Sequence, residues 1–362
     1  MGMKYRMTMG IVLMIVLLLG TALSETFLVT SDLHLTEDRA AHDPALDAVT
    51  AMAAGYDGVL VLGDSANNAH DEEHAYVLEF LGALGRPAYV VPGNHDITRV
   101  LHPIDFVELY AEYGWGAAFS RDDASASCAV TTAGGTCLLL IDTNAYTDLE
   151  SVAPLGGIPD ATVEWVASVL DALPPGTPVV ACGHHPILPP ESRDTPNAGK
   201  LAEALRQGGA KVYLCGHDHG FAAVNIDGLQ QITVGQPHAY PGWAGALTVD
   251  GDGFHWRVVE LYADDDPVWL ALEENAAALG VGIGRGVLTD TPFEGDEAAA
   301  QWFAEAFGML QRSELTPEAC ERLLSDPAAD TWRAITTKTI IRDWMFGILE
   351  QCPQDVREII VN

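Results

Sequence analysis

The amino-acid sequence predicts an α/β fold built on a sheet of mainly parallel strands. Short apolar runs occur without polar alternation, which is typical of strands that are buried on both faces. Amphipathic helical patterns separate most of these runs. Most runs also end in a short polar phrase, and open parallel sheets bind their ligands at the carboxyl ends of the strands. The sequence therefore predicts both a fold class and the place of a site.

Six apolar runs are the predicted parallel strands. Between them, residues 43–55, 72–84 and 160–173 have the periodicity of amphipathic helices. The strand runs are TFLVTSD (26–32), GVLVLGD (58–64), PAYVVPGNH (87–95), TCLLLID (136–142), TPVVACGHH (177–185) and KVYLCGH (211–217).

The pattern changes after the last of these runs. GLQQITVG (228–235) and GALTVDGDGFHWRVVEL (245–261) are typical of antiparallel strands, with GDG (251–253) as a tight turn. We expect these residues to form a second, mixed sheet that packs on the first.

The C-terminal part of the chain is predicted to be helical. Asp266 is the expected N-cap of a helix that starts at Pro267 and stops at Gly280. Residues 281–295 are glycine-rich and are expected to form a linker. Three further helices are expected at about 296–312, 316–325 and 328–351. Their aromatic residues recur at helical spacing and are expected in a core.

The net charge excludes one class of partner. The 362 residues carry a formal charge of −33 with 18 basic residues, and no basic stripe occurs. A nucleic-acid-binding surface needs clustered lysine and arginine, so none is expected. An anionic substrate would be repelled unless its site held local positive charge, which a metal cluster supplies.

The first 24 residues predict export. Lys4 and Arg6 precede a run without charge, and small residues follow up to Ser24. This pattern indicates a signal peptide that is cleaved near Ser24 and a secreted or cell-envelope protein. The alternative is an uncleaved anchor, in which case the protein would contact the membrane through this segment.

The six cysteines leave their pairing open. Export permits disulfides without requiring them. Cys128 and Cys137 flank a predicted hairpin turn and could pair across it. Cys320 and Cys352 could connect two C-terminal helices. Cys182 and Cys215 each end a strand and are expected to be buried free thiols.

The polar phrases together offer the ligands of a metal site. They combine carboxylate oxygens, an amide oxygen and imidazole nitrogens, which suit Mn, Fe or Zn, and no Cys-x-x-Cys pattern occurs. In an extended segment Asp32 and His34 would project to one face, whereas His217 and His219 can diverge at a turn towards two ions. In chain order the phrases are Asp32-Leu33-His34, Gly63-Asp64, Gly93-Asn94-His95-Asp96, His184-His185-Pro186 and Gly216-His217-Asp218-His219.

With these five phrases in this order, the sequence resembles the calcineurin-like metallophosphoesterase superfamily over about residues 26–262. The resemblance implies a four-layered α/β/β/α sandwich with a small C-terminal helical extension. It implies one metal held by Asp32, His34, Asp64 and His219. Asp64 would bridge to a second metal, which Asn94, His184 and His217 would complete. His95 would protonate the leaving-group oxygen, and Asp96 would orient the His95 ring.

Several positions near these phrases stay open. His184 is the expected ligand and His185 an orienting residue or a substrate contact. In purple acid phosphatases a metal-bound tyrosine is expected where this chain has Asn67, so a ferric–tyrosinate centre is not expected. Asp142, Thr143 and Asn144 are candidates for lining the pocket, His238 and Tyr240 are candidates for its rim, and Arg99 is a candidate substrate contact.

The resulting hypothesis is an exported dinuclear phosphoesterase. A metal-bridging hydroxide would attack phosphate mono- or diesters of small molecules, with His95 as general acid. The alternative is a non-catalytic envelope protein with a vestigial metal site, which docks a partner through the C-terminal helices. The expected division of the chain is a signal peptide at 1–24, the phosphoesterase domain at 25–262 and the helical region at 263–362.

Overall fold

The computed structural model describes residues 24–97, 103–144, 156–189, 192 and 195–362. The strands in these residues are β1 (Glu25–Thr30), β2 (Gly58–Val61), β3 (Ala88–Val90), β4 (Ser120–Arg121), β5 (Cys128–Thr131), β6 (Cys137–Leu140), β7 (Val179–Cys182), β8 (Val212–Cys215), β9 (Ala222–Ile226), β10 (Leu229–Thr233), β11 (Trp243–Asp250), β12 (Gly253–Glu260) and β13 (Glu358–Val361). The helices are α1 (Arg39–Ala53), α2 (Asp71–Ala83), α3 (Pro103–Leu109), α4 (Asp160–Ala172), α5 (Ala198–Gln207), α6 (Pro267–Leu288), α7 (Glu297–Gln311), α8 (Pro317–Ser325), α9 (Pro327–Arg333) and α10 (Thr339–Gln351).

The strands form two mixed sheets. The first has six strands in the order β13-β12-β11-β1-β2-β3, and the second has seven in the order β4-β5-β6-β7-β8-β10-β9. The predicted parallel strands are parallel in both sheets: β1, β2 and β3 pair in one, and β6, β7 and β8 in the other. Their carboxyl ends therefore form two edges that can face a common site.

The two sheets pack face to face with helices outside, as the resemblance implied. Strand β8 shows how: Val212 and Leu214 belong to the core that the two sheets share, whereas Tyr213 and Cys215 belong to the core under α4 and α5. This alternation is the two-residue period of a strand whose faces are both buried. Residues of α1 and α2 pack into the core that contains the first sheet.

The expected second, mixed sheet is present, but the residues after Gly228 divide between the two sheets, so the assignment of all of them to one sheet is wrong. β10 pairs in parallel with β8 in the second sheet, whereas β11 pairs antiparallel with β1 and extends the first sheet. The segments of β10 and β11 both have an apolar pattern that is compatible with pairing at any open strand edge. The pattern alone could not decide which sheet each strand would join.

Helix α6 begins as predicted but does not stop at Gly280. Asp266 is its N-cap and accepts a hydrogen bond from the Val268 backbone N–H at 2.7 Å. The helix continues to Leu288, so most of the expected linker is helical. Gly280 and Gly284 lie against α7, where an added Cβ would be 3.0 Å from the Cα atoms of Ala304 and Ala300, respectively. Glycine is used here for close helix packing rather than for flexibility.

The last predicted helix, at 328–351, is divided into α9 and α10, and the strand β13 follows α10. Lys338, with φ of 53°, interrupts it before α10, and β13 then pairs antiparallel with β12 at the edge of the first sheet. The helices have a core of their own around Trp302, Phe303 and Trp332. The helical extension is therefore tied to the sandwich at both ends, and a domain boundary at residue 262 stays a prediction.

No disulfide joins any of the six cysteines, all of which lie among the described residues. Cys128 cannot pair across the hairpin with Cys137, because the strand register sets Cys128 opposite Leu140 and Cys137 opposite Thr131. Cys182 and Cys215 are buried, as predicted. No helix among the described residues is long and apolar enough to cross a membrane. The predicted signal peptide, apart from Ser24, lies outside those residues.

Candidate metal centre

Five strand-end loops converge between the carboxyl edges of the two sheets. Within the first sheet, the backbone N–H of Asp32 donates to the Gly63 carbonyl at 3.0 Å, and that of His34 donates to the Asp64 carbonyl at 2.9 Å. Between the sheets, the His217 N–H donates to the Asp32 carboxylate at 3.1 Å. These bonds fix the loops that carry the predicted ligands relative to one another.

Five of the seven predicted ligands adopt a left-handed backbone conformation. The φ angles are 53° at Asp32, 44° at His34, 49° at Asp64, 76° at His217 and 57° at His219. Residues other than glycine rarely adopt this conformation, and such strain concentrates at functional sites. The expectation that Asp32 and His34 share a face through extended geometry is therefore wrong. Sharp turns bring their side chains together instead.

Gly216 leaves room for this arrangement. A Cβ added at Gly216 would lie 1.9 Å from Ser31 Oγ and 2.6 Å from Asp32 Oδ2. Any side chain here would push the loop after β8 away from the loop after β1. The glycine in this phrase thus serves a close approach between the two sheets.

The four side chains expected at the first metal form one cluster. The ligand atoms of Asp32, His34, Asp64 and His219 all lie within 4.8 Å of one another. His34 Nε2 is 3.0 Å from His219 Nε2 and 3.7 Å from Asp64 Oδ2. His219 Nε2 is 3.7 Å from Asp32 Oδ1. Carboxylates and imidazoles at these separations can surround one divalent ion.

A second cluster joins the first at Asp64. His184, His185 and His217 have ring nitrogens within 4.8 Å of one another, so the structure adds His185 to the two expected histidines. His184 Nε2 lies 3.2 Å from Asp64 Oδ2, the same oxygen that faces His34. Asp64 therefore stands between the two clusters, which is the position that a bridging ligand needs.

The histidine tautomers fit a metal better than a network of hydrogen bonds. His184 Nδ1 lies 2.8 Å from the Leu62 carbonyl, which can only accept, so Nδ1 carries the proton. Nε2 is then the ring nitrogen that faces the Asp64 carboxylate, where a metal ion would take the place of a proton. His184 Nε2 and Asn94 Oδ1 are buried and have no hydrogen-bond partner among the described residues. A cation between such groups would satisfy all of them.

The electrostatics of the cluster favour positive charge at its centre. Burial, together with the neighbouring Asp64, raises the pKa of Asp32 to about 7. Burial would also raise the pKa of Asp64, but His184 and His34 more than offset it and hold that pKa below its usual range. Burial opposes protonation of His184 as well, yet the two carboxylates raise its pKa to about 10. The carboxylates thus stabilise a positive charge close to the His184 ring.

His95 lies over the first cluster, and Asn67 orients its ring. His95 Nδ1 donates to the Asn67 carbonyl at 2.6 Å, which leaves Nε2 for proton exchange. The ring lies edge-on to His34 with centroids 4.6 Å apart. The backbone N–H of His95 donates to Asp64 Oδ1 at 2.7 Å. His95 is therefore placed beside the ligands, as the resemblance implied.

Asp96 does not orient the His95 ring, and that expectation is wrong. Its carboxylate is fully buried and accepts hydrogen bonds from the backbone N–H groups of Ala66 at 2.7 Å and Gly93 at 2.9 Å. Asp96 thereby connects the loops after β2 and β3. Asp96 was expected to contact the His95 ring because it follows His95 in the sequence. The two side chains point in different directions, so they do not meet.

Thr143 and Tyr213 support the second cluster. Thr143 Oγ1 accepts from the His185 N–H at 3.0 Å and lies 2.9 Å from His185 Nδ1. The Tyr213 hydroxyl donates to the His185 carbonyl at 2.8 Å. Thr143 belongs to a phrase that the sequence marked as a candidate pocket lining. Tyr213 lies within a strand, and no feature of the sequence marked it as part of the site.

The other candidates lie at the rim or outside the described residues. His238 packs edge-on against His42 with ring centroids 5.1 Å apart, and burial, with His42 and His219 nearby, lowers its pKa to about 4. Tyr240 lies two residues further on, against the helical extension. Asp142 and Asn144 are buried. Asn144 Nδ2 donates hydrogen bonds to the Asp142 carboxylate and, at 3.0 Å, to the Pro92 carbonyl. Arg99 lies outside the described residues.

The chain is similar to the solved structures of several proteins. A dimetal phosphatase from Danio rerio is similar with a TM-score of 0.52 and 16% identity, covering 66% of this chain and 96% of that one. GAP50, the anchor in the inner membrane complex of Plasmodium, has a TM-score of 0.44 and 11% identity, covering 66% and 85%. A purple acid phosphatase from yellow lupin seeds has a TM-score of 0.45 and 10% identity, covering 67% and 52%.

No curated protein matches the chain significantly. The family model of the calcineurin-like phosphoesterases matches residues 25–221, which is more than half of the chain and includes every residue of both clusters. This match and the α/β sandwich lead to one conclusion. The chain belongs to the calcineurin-like phosphoesterase family, whose members are metal-dependent phosphoric ester hydrolases.

Proposed function

We propose that the protein is an exported phosphoesterase that uses two divalent metal ions to hydrolyse small phosphate mono- or diesters. The position of Asp64 carries this proposal. One of its oxygens faces His34 at 3.7 Å and His184 at 3.2 Å, so a single carboxylate serves both clusters. Export rests on the signal-peptide pattern of the first 24 residues.

The proposed first metal is held by Asp32, His34, Asp64 and His219, and the second by Asp64, Asn94, His184 and His217. Bound together, two such ions neutralise charge on a phosphoryl group and supply an activated water. Mn, Fe and Zn all suit this mixture of oxygen and nitrogen ligands.

His95 is the proposed general acid. Its Nδ1 proton is held by the Asn67 carbonyl at 2.6 Å, so only Nε2 is available to give a proton to a departing alkoxide. Asn67 takes part through its backbone carbonyl, so its side chain is not needed for this contact.

The proposed loop supports keep the ligands rigid. Leu62 fixes the His184 ring through its carbonyl, and Thr143 holds the backbone of the adjacent His185. Preorganised ligands need no rearrangement when the reaction begins, and electrostatic stabilisation depends on this.

Metal analysis combined with turnover tests the proposal. Purified protein should contain close to two equivalents of Mn, Fe or Zn, and it should hydrolyse 4-nitrophenyl phosphate, bis(4-nitrophenyl) phosphate or both. A chelator should abolish turnover, and one of the three metals should restore it. Protein that binds no metal and cleaves neither ester would overturn the proposal in favour of a non-catalytic protein.

A further inference from the structure

The segment that follows α10 lies against the start of α8. Cys352, directly after α10, donates a hydrogen bond from its thiol to the Leu315 carbonyl at 3.3 Å. Further along the segment, the Val356 backbone N–H donates to Ser313 Oγ at 2.9 Å. Leu315 and Ser313 both precede α8, so these two bonds fix the end of α10 beside the beginning of α8.

Cys320 lies at the same place, in the first turn of α8. Thr316 caps this helix, and its carbonyl accepts a hydrogen bond from the Cys320 backbone N–H at 2.8 Å. The fourth helical residue often packs against the residue before the cap, and here Cys320 and Leu315 hold those positions. Both side chains are buried in the core of the helical extension. The Leu315 backbone that Cys352 contacts is thus next to Cys320.

The two thiols contact each other. The Cys320 thiol donates a hydrogen bond to the Cys352 sulfur, and burial together with this contact raises the pKa of Cys320 to about 12. Cys352 also packs against the core that contains Cys320. Sulfurs in such contact have to approach by roughly 1–2 Å to reach the length of a disulfide bond, which is about 2 Å.

The other four cysteines are arranged differently. Cys128 and Cys182 face the core that the two sheets share, whereas Cys137 and Cys215 face the core under α4 and α5. An intervening strand separates the two cysteines within each core, which sets them about 9–10 Å or more apart. A disulfide requires Cα atoms within about 7 Å, so none of these four can pair without movement of a strand.

The chemistry that joins Cys320 to Cys352 is thiol–disulfide exchange. Cys352 is partly exposed, so its thiolate can attack a small disulfide such as glutathione disulfide. One glutathione leaves with the Cys352 proton, and the other stays attached to Cys352. The Cys320 sulfur then attacks the Cys352 sulfur, and the second glutathione leaves with the proton of Cys320. The two protein thiols are oxidised to one disulfide, and one glutathione disulfide is reduced to two thiols.

We propose that Cys320 and Cys352 form a disulfide that joins the start of α8 to the end of α10 when the protein meets an oxidising environment. The bond closes residues 320–352, which include α9 and α10, into one loop. Such a closure stabilises a fold mainly because it restricts the unfolded chain. Formation of the bond in the cell rests on the proposed export, because disulfides persist in oxidising compartments.

Peptide mapping of the purified protein tests the pairing. The full chain is equilibrated with glutathione disulfide and glutathione, its remaining thiols are blocked under denaturing conditions, and linked peptides are identified by mass spectrometry. We expect one pair of peptides joined through Cys320 and Cys352, with the other four cysteines blocked. Six blocked thiols, a different pair, or glutathione attached to Cys352 without the cross-link would overturn the inference.

Thermal unfolding measures what the bond contributes. The Tm of the oxidised wild type should be about 5 °C or more above that of the reduced protein. Cys352→Ser is the matched control, since it removes the partly exposed partner and keeps the buried Cys320. The Tm of this variant should be the same with and without oxidation. A shift on oxidation that persists in the variant would contradict the inference.

These measurements separate the inference from the proposed function. Pairing in the purified protein needs neither metal nor export, so a protein that forms the bond and hydrolyses no ester contradicts the proposed function alone. Thiols trapped directly in the producing cells test the export. If the purified protein pairs Cys320 with Cys352 but the trapped protein has both thiols reduced, the proposed export is wrong and the pairing stands.

Discussion

The strand-end loops and the α6–α7 helix pair both bring backbones into close contact, but they do so in different ways. In the loops, Asp32 and Asp64 hold left-handed backbone conformations that cost roughly 1–3 kcal/mol each. In the helix pair, Gly280 and Gly284 lie against Ala304 and Ala300 with ordinary helical geometry. The loops thus carry strain that places ligands, whereas the helices carry close packing that supplies stability. Substitutions in the loops should therefore reduce metal binding or activity, whereas substitutions in the helix pair should reduce stability.

The largest expected effect is that of Asp64→Asn. The amide keeps the shape of the carboxylate but removes the charge that faces both His34 and His184. Turnover should fall by at least about 10³-fold, and bound metal should fall by at least half. Metal analysis and ester hydrolysis measure both losses. Asp57→Asn, in a turn where the carboxylate accepts from Thr26, is the control and should keep both.

His95→Ala should lose activity while it keeps its metals. The ring lies beside His34 but belongs to neither cluster of candidate ligands. Turnover of an alkyl phosphate, whose leaving group is poor, should fall about 10²- to 10⁴-fold. An activated nitrophenyl ester needs less protonation and should lose less. If the variant hydrolyses the alkyl ester as fast as the wild type, His95 is not the general acid.

Gly284→Leu should have the opposite effect: it should lower the stability of the protein and leave the chemistry of the folded protein intact. Its Cβ would lie 3.0 Å from the backbone of Ala300, so the helices must separate. The free energy of unfolding should fall by about 3 kcal/mol, as for other overpacked cores. The folded fraction should still hydrolyse 4-nitrophenyl phosphate.

Gly282→Leu is the matched control for this helix. A Cβ at Gly282 meets no atom within 4 Å, so the better helix former should stabilise the protein by about 0.5–1 kcal/mol. Chemical denaturation of the two variants measures the difference. Equal destabilisation would contradict the assignment of Gly284 to the helix interface.

Thr143→Val gives the smallest expected effect and separates support from ligation. The hydroxyl accepts from the His185 backbone and lies 2.9 Å from its ring, so its loss should loosen the second cluster. Affinity for the more weakly bound metal should fall about 10- to 100-fold in calorimetric titrations. Thr143→Ser keeps the hydroxyl and should bind like the wild type. Equal affinities for the valine and serine variants would remove Thr143 from the support of this site.

The two regions also differ in how well they could be predicted. Aspartate and histidine at strand ends indicate metal-binding chemistry, and the family resemblance assigned the candidate ligands before any geometry was known. Gly280 suggested a helix end and the glycines at 282, 284 and 286 a linker, because glycine spacing has the same appearance in a flexible segment and at a tight helix interface. Only the contacts of Gly280 and Gly284 with α7 distinguish the two.

The sequence by itself determined the α/β class, the strand-end location of the site and the ligand types, because burial patterns and side-chain chemistry are local properties. The tertiary structure decided which sheet β11 joins, that Asn67 rather than Asp96 orients His95, and that His185 joins the second cluster. These outcomes depend on contacts between residues far apart in the chain. Local patterns cannot specify such contacts, because many partners would satisfy the same hydrogen-bonding and packing requirements.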